Sequence, residues 1–128
     1  MKIVSTKNAP AAIGPYSQGI FCDGFYFFSG QIALDKNGKF CGDSLETEIS
    51  QILKNIAALL AAENLSKKNI LKTTIFLTKI SDFEIVNKFY GEFFGDHFPA
   101  RSTVAVAALP KNARVEIEFV AKKWMKKF

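Results

Sequence analysis

Arg114-Val115-Glu116-Ile117-Glu118-Phe119-Val120-Ala121-Lys122 alternates apolar and polar side chains, interrupted only at Val120. A period of two marks a β-strand with one buried face. Val115, Ile117, Phe119 and Ala121 fall on one face; Arg114, Glu116, Glu118 and Val120 fall on the other. Such a strand belongs to a sheet packed on one side. Upstream, Arg101 to Ala107 also alternates, dividing Arg101, Thr103, Ala105 and Ala107 from Ser102, Val104 and Val106. A turn around Leu109-Pro110-Lys111-Asn112 joins the two runs. The face holding Arg101 and Thr103 is otherwise small and non-polar. That suits a helix-free face packed closely on a neighbouring subunit.

Further out, Ile70 to Thr78 is β-branched and alternating, which predicts another strand. Lys2 to Ser5 predicts a short first strand, followed by an ordered loop from Asn8 to Gln18. Gly19 to Cys22 and Phe25 to Ser29 flank Asp23-Gly24, a hairpin signal. Asp35 to Gly38 is a further turn. Two segments have a helical period instead. Leu45, Ile49, Ile52, Leu53, Ile56, Leu59 and Leu60 repeat every 3.6 residues, with Asp43 and Glu46 spaced as a capping box and Asn64 as a stop. Phe83, Val86, Phe89, Tyr90, Phe93 and Phe94 follow Ser81-Asp82-Phe83-Glu84, again with box spacing, and end at Gly95. The order β, β-hairpin, α, β, α, β, β predicts an α+β fold. It is a mixed sheet of about six strands with two helices on one face, in a single domain over residues 1–128. The uncovered face must be wet or covered by another subunit, so an oligomer is expected.

The chain has 128 residues, 48% hydrophobic and 23% charged. That length and balance suit one globular domain able to fold without disulfides or metal. The longest apolar run, Ile56 to Ala62, is far below the ~20 residues that span a bilayer. Met1 to Pro10 lacks the apolar stretch of a secretory signal. Cys22 and Cys41 make no disulfide framework, which points to a reduced, cytoplasmic protein. The net charge of +5 raises nucleic acid as a partner. Against it, only Arg101 and Arg114 of the 17 basic residues are arginine, whereas base readers use arginine forks. The lysines are scattered, and Lys122 to Phe128 reads as a solvated terminus. Neither nucleic acid nor membrane is expected as a partner.

The single histidine, His97, reads as a solvated loop residue. It leaves little for histidine metal clusters or a Ser-His-Asp arrangement. CxxC, GxGxxG and GxxxxGK[ST] are absent, so neither metal nor cofactor is expected. Cys22 and Cys41 have no nearby base and read as fillers of apolar or loop positions. Three segments stand out: Gly14-Pro15-Tyr16-Ser17-Gln18, Ser29-Gly30-Gln31 and Pro99-Ala100-Arg101-Ser102-Thr103. Singly they read as a loop anchor, a turn glycine and a surface arginine.

Together, these segments resemble the RidA family, also called the YjgF family, of reactive-intermediate imine deaminases. The likeness covers nearly the whole chain. It runs through Asn8 to Gln18, Ser29-Gly30-Gln31, Lys72 to Leu77, Asp82-Phe83, Asn87, Tyr90, Phe93-Phe94, Pro99 to Ser102, Leu109-Pro110 and Glu116-Ile117-Glu118. The resemblance implies a chorismate-mutase-like fold and a homotrimer with ligand clefts between subunits. It also implies hydrolysis of 2-imino or enamine acids, such as 2-aminoacrylate, 2-iminopropanoate and 2-iminobutanoate, to 2-oxo acids and ammonium. By that likeness Arg101 grips the substrate carboxylate, and Glu116 orients or deprotonates water and passes a proton to nitrogen. Tyr16 lines the cleft, Ser29 and Gly30 add polar contacts, and Asn87 and Thr103 lie near the ligand. Glu118 shares the alternation of Glu116, and the family motif favours Glu116.

Two departures stand out. Thr103 occupies a position where many relatives have Cys, and Gly95-Asp96-His97-Phe98 is a short link at the cleft rim. Two other readings stay open: a non-catalytic binder of small carboxylates, and an RNA-cleaving translation inhibitor as attributed to some relatives.

Overall fold

A computed structural model describes residues 1–124. Its strands are β1 (Lys2–Val4), β2 (Gly19–Cys22), β3 (Phe25–Gln31), β4 (Ile70–Leu77), β5 (Ala100–Ala105) and β6 (Val115–Lys122). Its helices are α1 (Leu45–Ala62) and α2 (Phe83–Phe94). One sheet runs β1-β2-β3-β6-β4-β5, antiparallel except for the parallel pair β4 and β5. The mixed six-stranded sheet with two helices is the architecture expected from the element order. No helix among the described residues is long and apolar enough to cross a membrane. The tail lysines Lys126 and Lys127 lie outside the described residues.

The strand β6 sits at the centre, and its alternation organises the molecule. Val115, Ile117 and Phe119 stand opposite Leu77, Ile75 and Thr73 of β4, all buried. Phe119 also stacks on Phe28 of β3, with ring centroids 4.4 Å apart. Over this face α1 lays Ile49, Ile52, Ile56 and Leu59, and α2 lays Val86, Tyr90 and Phe94. Glu116, Glu118 and Val120 pair with Phe76, Thr74 and Lys72 on the opposite face, which carries no helix.

Several local expectations are corrected. Ser44, not Asp43, caps α1: its backbone is extended and its hydroxyl accepts from the Thr47 amide at 3.1 Å. The cap must directly precede the first helical residue, here Leu45. Asn64 does end the helix, in a left-handed conformation. The Ser81 box does not form, because Ile80–Asp82 is already a 3₁₀ turn leading into α2. An extended capping residue has no place there. His97 is not a free solvated side chain; it is partly buried, with Nε2 3.0 Å from the Ile70 carbonyl oxygen.

The most consequential correction concerns β5. Arg101, Thr103 and Ala105 stand opposite Thr73, Ile75 and Leu77, so they share the helix-covered side of the sheet. It is Ser102 and Val104 that share the helix-free side with Thr74 and Phe76. Alternation separates two faces of a strand, but only its register against β4 says which of them meets the helices.

The second arginine is structural. The Glu48 carboxylate, fully buried on α1, accepts from the Arg114 amide at 2.7 Å and from Arg114 Nε at 2.8 Å. It also accepts from the Val115 amide at 3.2 Å. Arg114 Nη2 donates to the Gly42 carbonyl at 2.7 Å, so one ion pair fastens the start of β6 to α1 and to the loop before it.

Candidate active site

The helix-free face carries a cavity of about 600 Å³ bounded by Tyr16, Ser29, Gly30, Glu116 and Glu118. A bulge in β3 builds its floor. Ser29 and Gly30 both lie between the pairs Phe28–Phe119 and Gln31–Ile117, where β6 supplies only Glu118. Two residues against one bends the strand and re-aims its backbone. The Glu116 carboxyl group fills the space beside the Gly30 Cα: a Cβ there would stand 2.8 Å from its Cδ and closer still to Oε2. Gly30 therefore allows contact between backbone and carboxyl group rather than a turn.

The N-terminal loop forms the wall, and Gln18 holds it. This buried side chain accepts from the Thr6 amide at 2.7 Å and donates to the carbonyls of Thr6 and Pro10 at 3.1 and 2.8 Å. The Ser29 hydroxyl donates to the Ser17 carbonyl at 2.6 Å, and the Ser29 amide to the Gln18 carbonyl at 3.0 Å. These bonds fix the backbone on both sides of Tyr16 while leaving its ring exposed on the cavity wall. Gly14 takes a positive φ of 121°, and its carbonyl accepts from the Tyr16 amide at 2.9 Å.

The structure distinguishes the two glutamates that share an alternation. Glu118 is exposed, whereas Glu116 is half-buried against Gly30. Burial pushes the Glu116 carboxyl group above its usual proton affinity, and the neighbouring Glu118 charge adds to the effect. A carboxyl group held in this way suits proton transfer at a pH closer to neutrality.

Arg101 lies elsewhere. On the helix side of β5, it donates from Nη1 to Asn87 Oδ1 on α2 at 2.8 Å. Thr103, two residues along the same face, buries a hydroxyl that has no hydrogen-bond partner among the described residues. The chain therefore brings Tyr16, Ser29, Gly30 and Glu116 together, and brings Arg101 to Asn87 near Thr103. It does not bring the two groups together, because β4 separates β5 from β6 and the groups occupy opposite faces. Two features were missed in the sequence: the Gln18 anchor, and Phe83 and Tyr90 beside Arg101. The spacing of Phe83, Asn87 and Tyr90 was the available signal for the second.

The sequence and the fold are similar to those of known proteins. Residues 6–123 match the family model described as Endoribonuclease L-PSP. The Lactococcus lactis protein AldR, named for regulation rather than for chemistry, is 50% identical over 94% of this chain and 97% of its own length. The human 2-iminobutanoate/2-iminopropanoate deaminase is 44% identical over 94% of this chain and 88% of its own. The Escherichia coli TdcF structure with bound serine superposes with a TM-score of 0.91 at 38% identity, covering 97% of this chain and all of that one. With a family model matching most of the chain and relatives similar over nearly their whole length, the protein belongs to the Endoribonuclease L-PSP family, the YjgF or RidA family whose motifs its sequence carries.

Proposed function

We propose that this protein hydrolyses small 2-imino acids and their enamine tautomers, such as 2-aminoacrylate and 2-iminobutanoate, to 2-oxo acids and ammonium. Half-buried Glu116, with its raised proton affinity in a cavity beside Tyr16 and Ser29, is the observation that carries this reading. The names of the human relative and of the serine-bound structure support it: both concern small molecules with a carboxylate.

An imine carbon is already electrophilic, so the protein has to hold the acid, place water and move protons. Arg101 grips the carboxylate as a planar fork. Starting from the protonated imine, Glu116 accepts a proton from water as the oxygen bonds to C2 and the C=N π pair moves to nitrogen, forming a neutral carbinolamine. Glu116 returns that proton to nitrogen. The C–N bond then breaks with its electron pair leaving on ammonia, and the carbinolamine O–H proton passes back to Glu116 as the C=O forms. Glu116 gives it to the ammonia, so that a 2-oxo acid and ammonium result. No metal or cofactor of the protein takes part.

The opposite placement of Arg101 and Glu116 favours a cleft shared between copies, with Arg101 from one and Glu116 from the next, in a homotrimer. Phe27 and Val104 stand exposed on the helix-free face that such packing would cover. The free thiols Cys22 and Cys41 suit a reducing cytoplasm. Light scattering should return three times the 14.2 kDa chain mass, and a monomer at micromolar concentration would defeat the shared cleft.

The activity test generates 2-aminoacrylate with a pyridoxal-phosphate dehydratase and traps it as a semicarbazone. The protein should suppress the trapped product; undiminished semicarbazone overturns the reading for that substrate. Arg101→Lys keeps the charge and loses the fork. Charged hydrogen bonds contribute roughly 1.5–3 kcal/mol each, so turnover should fall at least ~10-fold. Near-normal turnover by an intact trimer would refute the clamp. A carboxylate binder without catalysis would bind 2-oxo acids yet leave the semicarbazone unchanged.

A further inference from the structure

Phe83, Asn87 and Tyr90 lie at i, i+4 and i+7 on α2, one stripe of the helix surface. Arg101 reaches across from β5 onto that stripe. Its guanidinium carbon is 5.2 Å from the centre of the Phe83 ring and 4.9 Å from that of Tyr90, while Nη1 donates to Asn87 between them. The Tyr90 ring is itself fixed. Its hydroxyl is 2.6 Å from Thr73 Oγ1, buried on β4 directly opposite Arg101 in the β4–β5 register. It also packs against Phe94 at a centroid distance of 4.6 Å.

This arrangement is more than core packing, because Arg101 is exposed on an edge strand. A long side chain there ordinarily loses considerable rotamer entropy on binding a ligand. Two aromatic rings and one amide oxygen hold the guanidinium plane before any acid arrives. Cation–π contacts of this type contribute at each ring, and a planar guanidinium lies flat on an aromatic surface as an ammonium does not. Burial raises the proton affinity of the Tyr90 phenol, so the ring meeting the cation stays uncharged.

We propose that Phe83 and Tyr90 are positioning residues that pre-orient Arg101 as a carboxylate fork. The proposal rests on the reading of Arg101 as the carboxylate clamp. It assigns the apolar stripe of α2 a part in affinity that its hydrophobic pattern alone does not reveal. Phe83 is the better probe, being only partly buried.

The test is a double-mutant cycle between Phe83→Leu and Arg101→Lys, read by calorimetric binding of 2-oxobutanoate and by turnover of 2-iminobutanoate. Thermal melts of each variant check the fold. Phe83→Leu should weaken 2-oxobutanoate binding ~3–10-fold in the parent and have little effect in the Arg101→Lys background. Phe83→Tyr, which retains the ring, should restore binding. Equal losses in both backgrounds, or no loss in the parent, would overturn the proposal. If the parent binds the acid without turning over the imine, the proposed activity fails and the cycle still decides the positioning role. If Arg101→Lys binds like the parent, or the parent binds no acid, both the clamp and its positioning residues are refuted.

Discussion

Replacing Gly30 by alanine isolates the position of Glu116 from the stability of the fold. Gly30 is not in the left-handed region, so alanine meets no backbone strain there. The conflict is with one side chain: the new Cβ would lie 2.8 Å from Glu116 Cδ. Ordinary carbon contacts begin near ~3.5 Å, so the carboxyl group must retreat by about 1 Å. It can do so by rotating a flexible side chain, and the strand need not move. Alanine also restricts the unfolded chain, worth about 0.4–1 kcal/mol, which offsets part of the repacking. Melting temperature should therefore change by only a few degrees. A misplacement of about 1 Å in a catalytic arrangement is worth on the order of 100-fold in rate. Turnover of 2-iminobutanoate by Gly30→Ala, followed by loss of the trapped semicarbazone, should fall by about that factor. Activity within twofold of the parent in a folded variant would refute the placement of Glu116 as the proton-transfer group.

Two further predictions concern stability. The folded-state proton affinity of Glu116 is raised above the ordinary value of 4.5. As pH rises through the window between that value and the folded pKa, the unfolded chain releases its proton first and stability falls. The penalty is complete above the folded pKa and absent below 4.5. Glu116→Gln should therefore be inactive yet more stable than the parent at neutral pH, with the advantage vanishing in acid. Urea melts across pH check this, and a constant difference would contradict it. Glu48→Ala leaves Arg114 Nε and the backbone amides of Arg114 and Val115 without their acceptor, while Nη2 keeps the Gly42 carbonyl. Because Arg114 remains partly solvated, the loss should be near the low end of the buried-pair range, about 3 kcal/mol, read from the urea midpoint. A loss below about 1 kcal/mol would mean that water replaces the carboxylate fully.

The sequence patterns that declared themselves were those imposed by a large, one-sided core. Val115, Ile117 and Phe119 alternate because β6 runs through the middle of the sheet, and Ile49, Ile52 and Ile56 repeat because α1 crosses that face. The site residues were legible only through motif likeness, since Tyr16, Ser29 and Glu116 are far apart in the chain and no period connects them. Three features depend on register or tertiary contact. Arg101 faces the helices because it pairs with Thr73. The place of Gly30 follows from a bulge that cannot be read from Phe25 to Gln31 alone. Phe83 and Tyr90 look like ordinary core positions until Arg101 is laid across them.

Mixing two inactive variants tests the shared cleft most directly. Arg101→Ala retains Glu116, and Glu116→Gln retains Arg101. If each cleft takes Arg101 from one copy and Glu116 from the next, random exchange of subunits restores both wild-type residues in about a quarter of the clefts. Turnover of 2-iminobutanoate should then rise from the sum of the two parents toward about a quarter of the wild-type rate after exchange. Turnover that stays at that sum while mass analysis shows mixed oligomers would contradict a cleft shared between copies.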